Sequence, residues 1–291
     1  MSQLTWVMRD GKDAGTLAPP GRFYSPRLSH DGRRVAVDLS DPVTNKGDIW
    51  IFDLRRNTGT RLTYDPANES VPVWTKDDQR IVFLSEKRGT ADLYEHAAIG
   101  PGTDIPLLAN SVRKQPLDIS PDDRSLMFSS LTREQFDLWL LSRADKRATP
   151  WLATPFNEVG GQFSPDGKYV AYSSDESGQM EVYVRPFSGS GEKYLMSRNG
   201  GRMPCWRNDG HELYYVATDR RLMAVTVRLE PTFDAGDPHI LFEARLRTEA
   251  TVTARQYDTR DGQNFLLNRA VGEEGSRPMT LVQNWAQGID Q

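Results

Sequence analysis

The sequence predicts an all-β fold, a six-bladed β-propeller of four-stranded antiparallel blades whose last blade is shared by both termini. Three observations predict it: a tight turn recurs six times, an alternating apolar strand follows each turn, and no amphipathic helix interrupts the repeats. Four strands in a period of about 40–45 residues are typical of a propeller blade. One small sheet cannot bury both of its faces, but sheets packed around an axis bury the faces of their neighbours.

Each repeat is anchored on an aspartate in the turn between its first two strands. Successive anchors are 46, 45, 44, 43 and 52 residues apart. The next residue is glycine or aspartate in every unit, which suits a turn that needs positive φ. We interpret the anchors as Asx-turn residues, and they are Asp31, Asp77, Asp122, Asp166, Asp209 and Asp261.

The second and third strands of each unit follow the anchor. Apolar residues stand four and six positions after it, as in Val170 and Tyr172, and this period of two indicates a strand with one buried face. The third strand begins with an acidic, an aliphatic and an aromatic residue. We interpret its acidic residues as structural caps, and they are Asp48, Asp92, Asp137 and Glu181.

The first strand of each unit ends on a large apolar residue three positions before the anchor. Trp74, Phe163 and Trp206 stand at this position, so we expect their rings to pack between blades. The sixth unit departs from the pattern, with an aspartate there. Prolines are expected to open the first strand, where a missing N–H is tolerated, in three units: Pro26, Pro72 and Pro204.

Both ends of the chain offer strands to the sixth blade. The sixth unit supplies a hairpin from Tyr257 to Asn268 and a strand at Thr280–Trp285, while Leu4–Met8 and Gly15–Leu17 resemble the last two strands of a blade. Together these are one strand more than a four-stranded blade accepts, so the sequence does not identify which terminal strand is outermost. We expect a single domain over residues 1–291, with seam strands in 1–18 and repeats at about 22–65, 66–110, 111–155, 156–200, 201–245 and 255–285.

Composition excludes several classes of protein. A formal net charge of −4 argues against a general nucleic-acid binder, and no apolar run approaches the ~18 residues of a membrane span. The N-terminus lacks the regions of a secretory signal, so we expect a cytoplasmic protein or a mature or excised domain. The single cysteine, Cys205, excludes a disulfide framework and is interpreted as an inert core thiol.

The sequence contains no pattern that indicates catalysis or metal binding. Ser190 lies between two glycines but lacks the outer residues of a nucleophile elbow, and no phosphate-binding loop or kinase signature is present. His30 and His211 fall in or beside a repeat turn and are interpreted as surface residues. The aspartates form no calcium-binding ladder. We therefore expect no catalytic residue, no metal site and no cofactor.

The loops that lead into the innermost strands are the candidates for ligand binding. They lie near the axis on one face of the ring, and they vary where the rest repeats. Solvated loops without a ligand are the alternative. Five of the candidates are basic and two are acidic, which favours an anionic ligand; they are Glu69, Arg113, Lys114, Asn157, Glu158, Arg198, Asn199, Arg202 and Arg255.

These repeats resemble the TolB-like, WD-like β-propeller family. The likeness rests on Ser164-Pro165-Asp166-Gly167-Lys168 with "VAYSS" and "EVYV", and on Ser120-Pro121-Asp122 followed by "DLWLL". In this family the propeller occurs in periplasmic adaptor proteins, as a gating domain of prolyl-oligopeptidase-like and tricorn-like proteases, and as a sensor domain of bacterial Ser/Thr kinases. The tail "TLVQNW" and the opening "QLTWVMRDGKDAGTL" look most like the kinase-linked group.

The expected function is recognition without catalysis. We expect a recognition or sensor propeller that binds a protein, a peptide or a small anionic ligand at the channel mouth, with no nucleic-acid partner. A sensor domain excised from a larger receptor would be extracytoplasmic. The alternative is an enzyme-associated propeller, either the gating domain of a peptidase or a channel-mouth hydrolase or lyase, and it would need clustered histidines and carboxylates at the mouth.

Overall fold

Six antiparallel sheets surround one axis in the computed structural model, which describes residues 1–132, 134–247 and 255–271. The secondary structure of these residues consists of strands and turns, and they include no helix long and apolar enough to cross a membrane. The strands are β1 (Ser2–Met8), β2 (Asp13–Thr16), β3 (Phe23–Leu28), β4 (Arg34–Ser40), β5 (Gly47–Asp53), β6 (Thr58–Arg61), β7 (Glu69–Trp74), β8 (Arg80–Ser85), β9 (Asp92–Ala97), β10 (Ile105–Leu108), β11 (Lys114–Ile119), β12 (Ser125–Thr132), β13 (Gln135–Ser142), β14 (Ala148–Leu152), β15 (Glu158–Phe163), β16 (Tyr169–Ser174), β17 (Glu181–Pro186), β18 (Tyr194–Leu195), β19 (Gly201–Trp206), β20 (Glu212–Ala217), β21 (Arg221–Arg228), β22 (Asp234–Ala235), β23 (His239–Glu243), β24 (Tyr257–Thr259) and β25 (Asn264–Ala270).

The chain builds each of the first four blades outward from the axis, strand by strand. Blade 1 is β3 to β6, blade 2 is β7 to β10, blade 3 is β11 to β14 and blade 4 is β15 to β18. Blade 5 begins with β19, β20 and β21, and its outer edge is divided between β22 and β23, which both pair with β21. The innermost strands pack against one another around the axis. The predicted six-bladed propeller is confirmed.

Blade 6 joins strands from both ends of the chain. Among the described residues its order from the axis outward is β24, β25, β1, β2, so the N-terminal strand β2 is the outermost of these four. The strands β1 and β25 pair over their full length, from Ser2 opposite Ala270 to Met8 opposite Asn264. The strand predicted at Thr280–Trp285 lies outside the described residues, and the extent of one domain over residues 1–291 stays a prediction.

The turn aspartates form the predicted Asx turns in all six blades. In each, the carboxylate accepts the backbone N–H two residues further on, at 2.8–3.1 Å. The residue after the aspartate has φ between 56° and 74°, which explains why glycine or aspartate stands there. In blades 1 to 4 a serine or threonine hydroxyl two residues earlier donates to the same carboxylate at 2.6 Å.

A β-bulge lies in the middle of each innermost strand of blades 1 to 5. Four of these bulges contain a residue with positive φ: Ser25, Val71, Gly160 and Met203. Pro26, Pro72 and Pro204 each follow such a residue, inside the strand. The expectation that these prolines open their strands is therefore wrong. A bulge interrupts the hydrogen-bond ladder, so a residue without an N–H is tolerated there.

The large rings at the ends of the innermost strands pack between blades, as predicted. Trp74, Phe163 and Trp206 are each 3% exposed. Trp74 of blade 2 lies in one cluster with Ile49 and Ile51 of blade 1, and the other two rings contact the blade before them in the same way. The indole N–H of Trp74 also donates to the carbonyl oxygen of Arg27 at 2.9 Å, which ties the two blades together.

An arginine on the hairpin of the N-terminal strands fastens blade 6 to blade 5. The guanidinium of Arg9 donates to both carboxylate oxygens of Glu212, at 2.6 and 3.0 Å, and to the carbonyl of Gly262. The hydroxyl of Tyr214 donates to the same carboxylate at 2.7 Å. Although burial opposes it, these hydrogen bonds lower the pKa of Glu212.

We expect Arg9→Ala to lower the free energy of unfolding by about 1.5–3 kcal/mol, because the partly buried Glu212 loses two charge-assisted hydrogen bonds and keeps only those from Arg207 and Tyr214. Urea denaturation measures the change. The control is Lys12→Ala on the same hairpin, whose ion pair with Asp10 is exposed, and it should shift stability by less than ~0.5 kcal/mol. Equal midpoints for the two variants would show that the ring closes without the Arg9 contact.

Candidate functional site

A cavity of about 350 Å³ lies on the axis of the propeller. Every blade contributes to its wall, and the contributing residues lie at or just beyond the C-terminal ends of the innermost strands in blades 1 to 5. The predicted binding mouth lies instead at the N-terminal ends of these strands. Side chains in the wall include Arg27, His30, Lys76, Asp118, Pro121, Gln162, Pro165, Asn208, Arg255, Asp258 and Arg260.

One position of the repeat supplies a ring of side chains to this cavity. It is the residue directly before the turn aspartate, and the Asx turn holds it at the axis. Around the ring from blade 6 through blade 5, the six residues are Arg260, His30, Lys76, Pro121, Pro165 and Asn208. Basic side chains therefore occupy three adjacent blades and uncharged ones the other three. The signal was present in the sequence, since only two of the six repeats keep proline there.

Deeper in the cavity, side-chain acceptors link neighbouring blades to one another. Asp118 of blade 3 accepts the backbone N–H of Phe163 in blade 4 at 2.9 Å, and Asp258 of blade 6 accepts that of Leu28 in blade 1 at 2.8 Å. The amide oxygen of Gln162 binds the backbone N–H of Trp206 at 2.8 Å. Both carboxylates in the cavity wall thus hold backbone groups.

Two arginines lie beside these acceptors. Arg27 donates to the carbonyl of Leu117 at 2.8 Å, and Arg255 donates to that of Pro204 at 2.8 Å while it lies 3.4 Å from Asp258. Burial lowers the pKa of Arg27 to about 10, and the neighbouring charge of Arg255 adds to the effect. Four permanently cationic side chains and two carboxylates line the cavity, which gives it a positive balance.

His30 connects the cavity rim to blade 2. Its Nδ1 lies 2.8 Å from the carboxylate of Asp78, and its Nε2 lies 3.3 Å from the ammonium of Lys76. Since a carboxylate only accepts, Nδ1 carries the proton and Nε2 accepts from Lys76. The interpretation of His30 as a surface residue was incomplete, because its side chain is 26% exposed and forms part of the cavity rim. His211 is exposed, as predicted.

Four of the nine predicted mouth residues are buried and bonded within the fold, among them Arg255, which lines the axial cavity. Lys114 forms an ion pair with Asp92 at 2.8 Å, with both side chains at most 2% exposed. Glu69 accepts the hydroxyl of Ser85 at 3.2 Å, and Glu158 accepts that of Thr154.

The predicted residues divide between the two ends of the channel. Asn157 is partly buried and donates to Asp175 at 2.7 Å, and Arg198 pairs on the surface with Asp237 at 2.8 Å. Arg255 lines the axial cavity, whereas the other eight predicted residues are not part of its wall. Ligand binding at the predicted mouth stays a prediction for the exposed residues Arg113, Arg198, Asn199 and Arg202.

The acidic residues predicted as caps bind groups of the protein itself, and Cys205 lies in the core. Asp48 pairs with Arg61 at 2.8 Å, Asp137 accepts the hydroxyl of Thr132, and Glu181 accepts the backbone N–H of Gly200 at 2.8 Å. Cys205 is buried, and burial raises the pKa of its thiol to about 11, as expected for an inert thiol. Within the described ranges, no three His, Cys, Asp or Glu side chains are grouped closely enough to share a metal ion.

The strand order defines the chain as a six-bladed β-propeller, and its sequence is similar to those of TolB proteins. It is 27% identical over 201 residues to the Tol-Pal system protein TolB of Anaeromyxobacter dehalogenans, a match that covers 63% of this chain and 46% of that protein. The chain thus spans less than half the length of the curated relatives it matches. No protein-family model matches the sequence.

Solved structures agree on the architecture. A structure described as TolB from Agrobacterium tumefaciens has a TM-score of 0.75 and 16% identity, and the match covers 94% of this chain and 99% of that one. An oligogalacturonate lyase from Vibrio parahaemolyticus has a TM-score of 0.58 and 13% identity, with 89% and 81% covered. At these identities the likeness establishes the fold alone.

The buried pair Lys114–Asp92 gives a test of structural against ligand-binding roles. We expect Lys114→Met to lower the free energy of unfolding by about 3–5 kcal/mol, because it leaves the Asp92 carboxylate buried without its cation. The double variant Lys114→Met, Asp92→Asn should recover part of that loss in urea denaturation. If the single variant is as stable as the wild type, the fold does not need Lys114, and a ligand-binding role for this residue is favoured instead.

Glu69 should make stability depend on pH. Burial raises its pKa to about 7, so the native state retains a proton that the unfolded chain releases near pH 4.3. Its contribution to stability is therefore greatest below about pH 4.3 and is lost as the pH rises through about 7. Glu69→Gln should flatten this part of the profile of unfolding free energy against pH, and the more exposed Glu86→Gln should not. An unchanged slope in Glu69→Gln would refute the burial argument.

Proposed function

We propose that the chain is a recognition propeller that binds an anionic segment of a protein or peptide in its axial cavity. The observation that carries the proposal is the charge of the cavity wall, with four permanently cationic side chains against two carboxylates. Both carboxylates also accept backbone N–H groups of neighbouring blades. A concave site with this balance attracts negative charge.

The size of the cavity supports a small part of a partner as the ligand. At about 350 Å³ it lies at the lower end of the range of about 300–1,000 Å³ for ligand pockets. A few side chains or a chain end fit this volume, and a folded domain does not. The partner would therefore insert a short segment while the rest of it contacts the surrounding loops.

The relatives support a protein as the source of that segment. TolB of Anaeromyxobacter dehalogenans is named as a protein of the Tol-Pal system, which suggests a role in an assembly. The alternative of an enzyme-associated propeller draws only on folds such as that of the oligogalacturonate lyase. The charge of the axial cavity favours recognition. A role as the sensor domain of a receptor remains a prediction from the resemblance.

Peptide selection tests the proposal. Random peptides displayed on phage are selected on the wild-type protein and should be enriched in aspartate and glutamate. Their affinity should fall about tenfold or more in the variant Lys76→Ala, Arg260→Ala, since charge-assisted hydrogen bonds contribute about 1.5–3 kcal/mol each. Binding should also weaken with added salt.

The matched control removes two cations at the other end of the channel. Arg113→Ala, Arg202→Ala alters exposed arginines among the originally predicted mouth residues and should retain full affinity. Loss of binding in this control, with retention in Lys76→Ala, Arg260→Ala, would move the site to the predicted mouth and overturn the proposal. Selected peptides without acidic enrichment would overturn it as well.

A further inference from the structure

We infer that the ligand of the axial cavity carries its anionic group directly beside a large apolar group, with the anion against blades 6, 1 and 2 and the apolar group against blades 3 and 4. This inference rests on the proposed function and specifies its ligand. The six residues directly before the turn aspartates surround the cavity. One half of this set is basic and the other half contains two prolines, and this division is the structural basis of the inference.

The basic half consists of Arg260, His30 and Lys76 on three consecutive blades. Arg260 donates to the carbonyl of Ser29 at 3.2 Å and lies 3.4 Å from the amide oxygen of Asn208, so its hydrogen-bond partners are neutral. The ammonium of Lys76 lies 3.3 Å from the neutral Nε2 of His30 and 3.8 Å from Asp118. Arg260 and Lys76 thus supply the positive charge and the donors at the rim, where a carboxylate can bind between them, while the neutral His30 positions Lys76.

The other half of the ring presents proline rings. Pro121 of blade 3 lies against the turn of blade 4, within 3.4 Å of the position that a Cβ on Gly167 would take. Pro165 of blade 4 lies in the same way beside Gly210 of blade 5. These distances correspond to van der Waals contact between each proline ring and the turn of the next blade. The result is a fixed apolar surface that offers no charge and no N–H to a ligand.

The small volume of the cavity brings the two halves within reach of one ligand. An anion with charges on all sides would place some of them against Pro121 and Pro165, where no donor replaces their water. A purely apolar group would displace water from Arg260 and Lys76 and supply no acceptor in its place. The ligand that satisfies both halves is an acidic residue next to an aromatic or branched aliphatic residue. An apolar residue at a chain end, with its own α-carboxylate, has the same chemistry.

Short peptides with blocked ends test the pairing of the two groups. The probes are Ac-GEFG-amide, Ac-GQFG-amide without the charge, Ac-GEAG-amide without the ring, and the free acid Ac-GGF for the chain-end source. Titration followed by NMR should show Ac-GEFG-amide binding about tenfold more tightly than the second and third probes. If Ac-GGF binds most tightly, the source is a chain end and the inferred chemistry stands.

Variants in the two halves test the orientation. Lys76→Met, Arg260→Met should abolish the difference between the glutamate and glutamine probes and keep the preference for phenylalanine over alanine. Pro121→Ala, Pro165→Ala should have the opposite effect, and unchanged thermal melting of both variants serves as the control for folding. Ac-GEAG-amide binding as tightly as Ac-GEFG-amide would overturn the inference and leave the proposed function intact. Affinity for both acidic probes that does not depend on Lys76 and Arg260, or no binding of any acidic probe at millimolar concentration, would overturn the proposed function itself.

Discussion

The hydrogen bonds of the turn aspartate determine the geometry at the axis in every blade. The carboxylate holds the backbone two residues ahead, and in blades 1 to 4 it also accepts a hydroxyl two residues behind. The hydroxyl of Thr75 lowers the pKa of Asp77, and that of Ser120 does the same for Asp122, as expected when hydrogen bonds stabilise the charged form. Each hairpin is thereby fixed where six of them meet around the cavity.

Contacts between blades then convert six similar hairpins into one ring. Rings such as Trp74 and Phe163 fill the space between adjacent sheets, and Asp118, Gln162 and Asp258 bind backbone N–H groups across the same boundaries. Bulges in the innermost strands interrupt the ladder inside blades 1 to 5. Acceptors from the preceding blade can therefore serve backbone groups near the axis. The boundary between blades 5 and 6 has a further link, which Arg9 provides through Glu212.

The sequence could predict the blades because their features are local. The Asx turn, the period-two strands and the large apolar side chain three positions before each turn aspartate depend on residues within one repeat. The sequence did not predict the bulges, because a proline such as Pro26, Pro72 or Pro204 is equally compatible with the start of a strand and with a bulge. Only the pairing register of the strands distinguishes the two positions. The order of the terminal strands depends on pairing between residues some 260 positions apart, which no local pattern encodes. The cavity was missed for a related reason, since its wall draws on all six repeats at once.

The two ends of the channel use charged residues in different ways, and the difference follows from what each position must do for the fold. At the N-terminal ends of the innermost strands, Lys114 is neutralised by Asp92 in a site almost closed to water, so its replacement would disturb the fold. At the other end, the residue before the turn aspartate makes none of the hydrogen bonds that define the turn. Its side chain can therefore be His30, Lys76 or Pro165 without a change in backbone geometry. Six such positions converge on one cavity, and a ligand preference can change there while the blades stay the same.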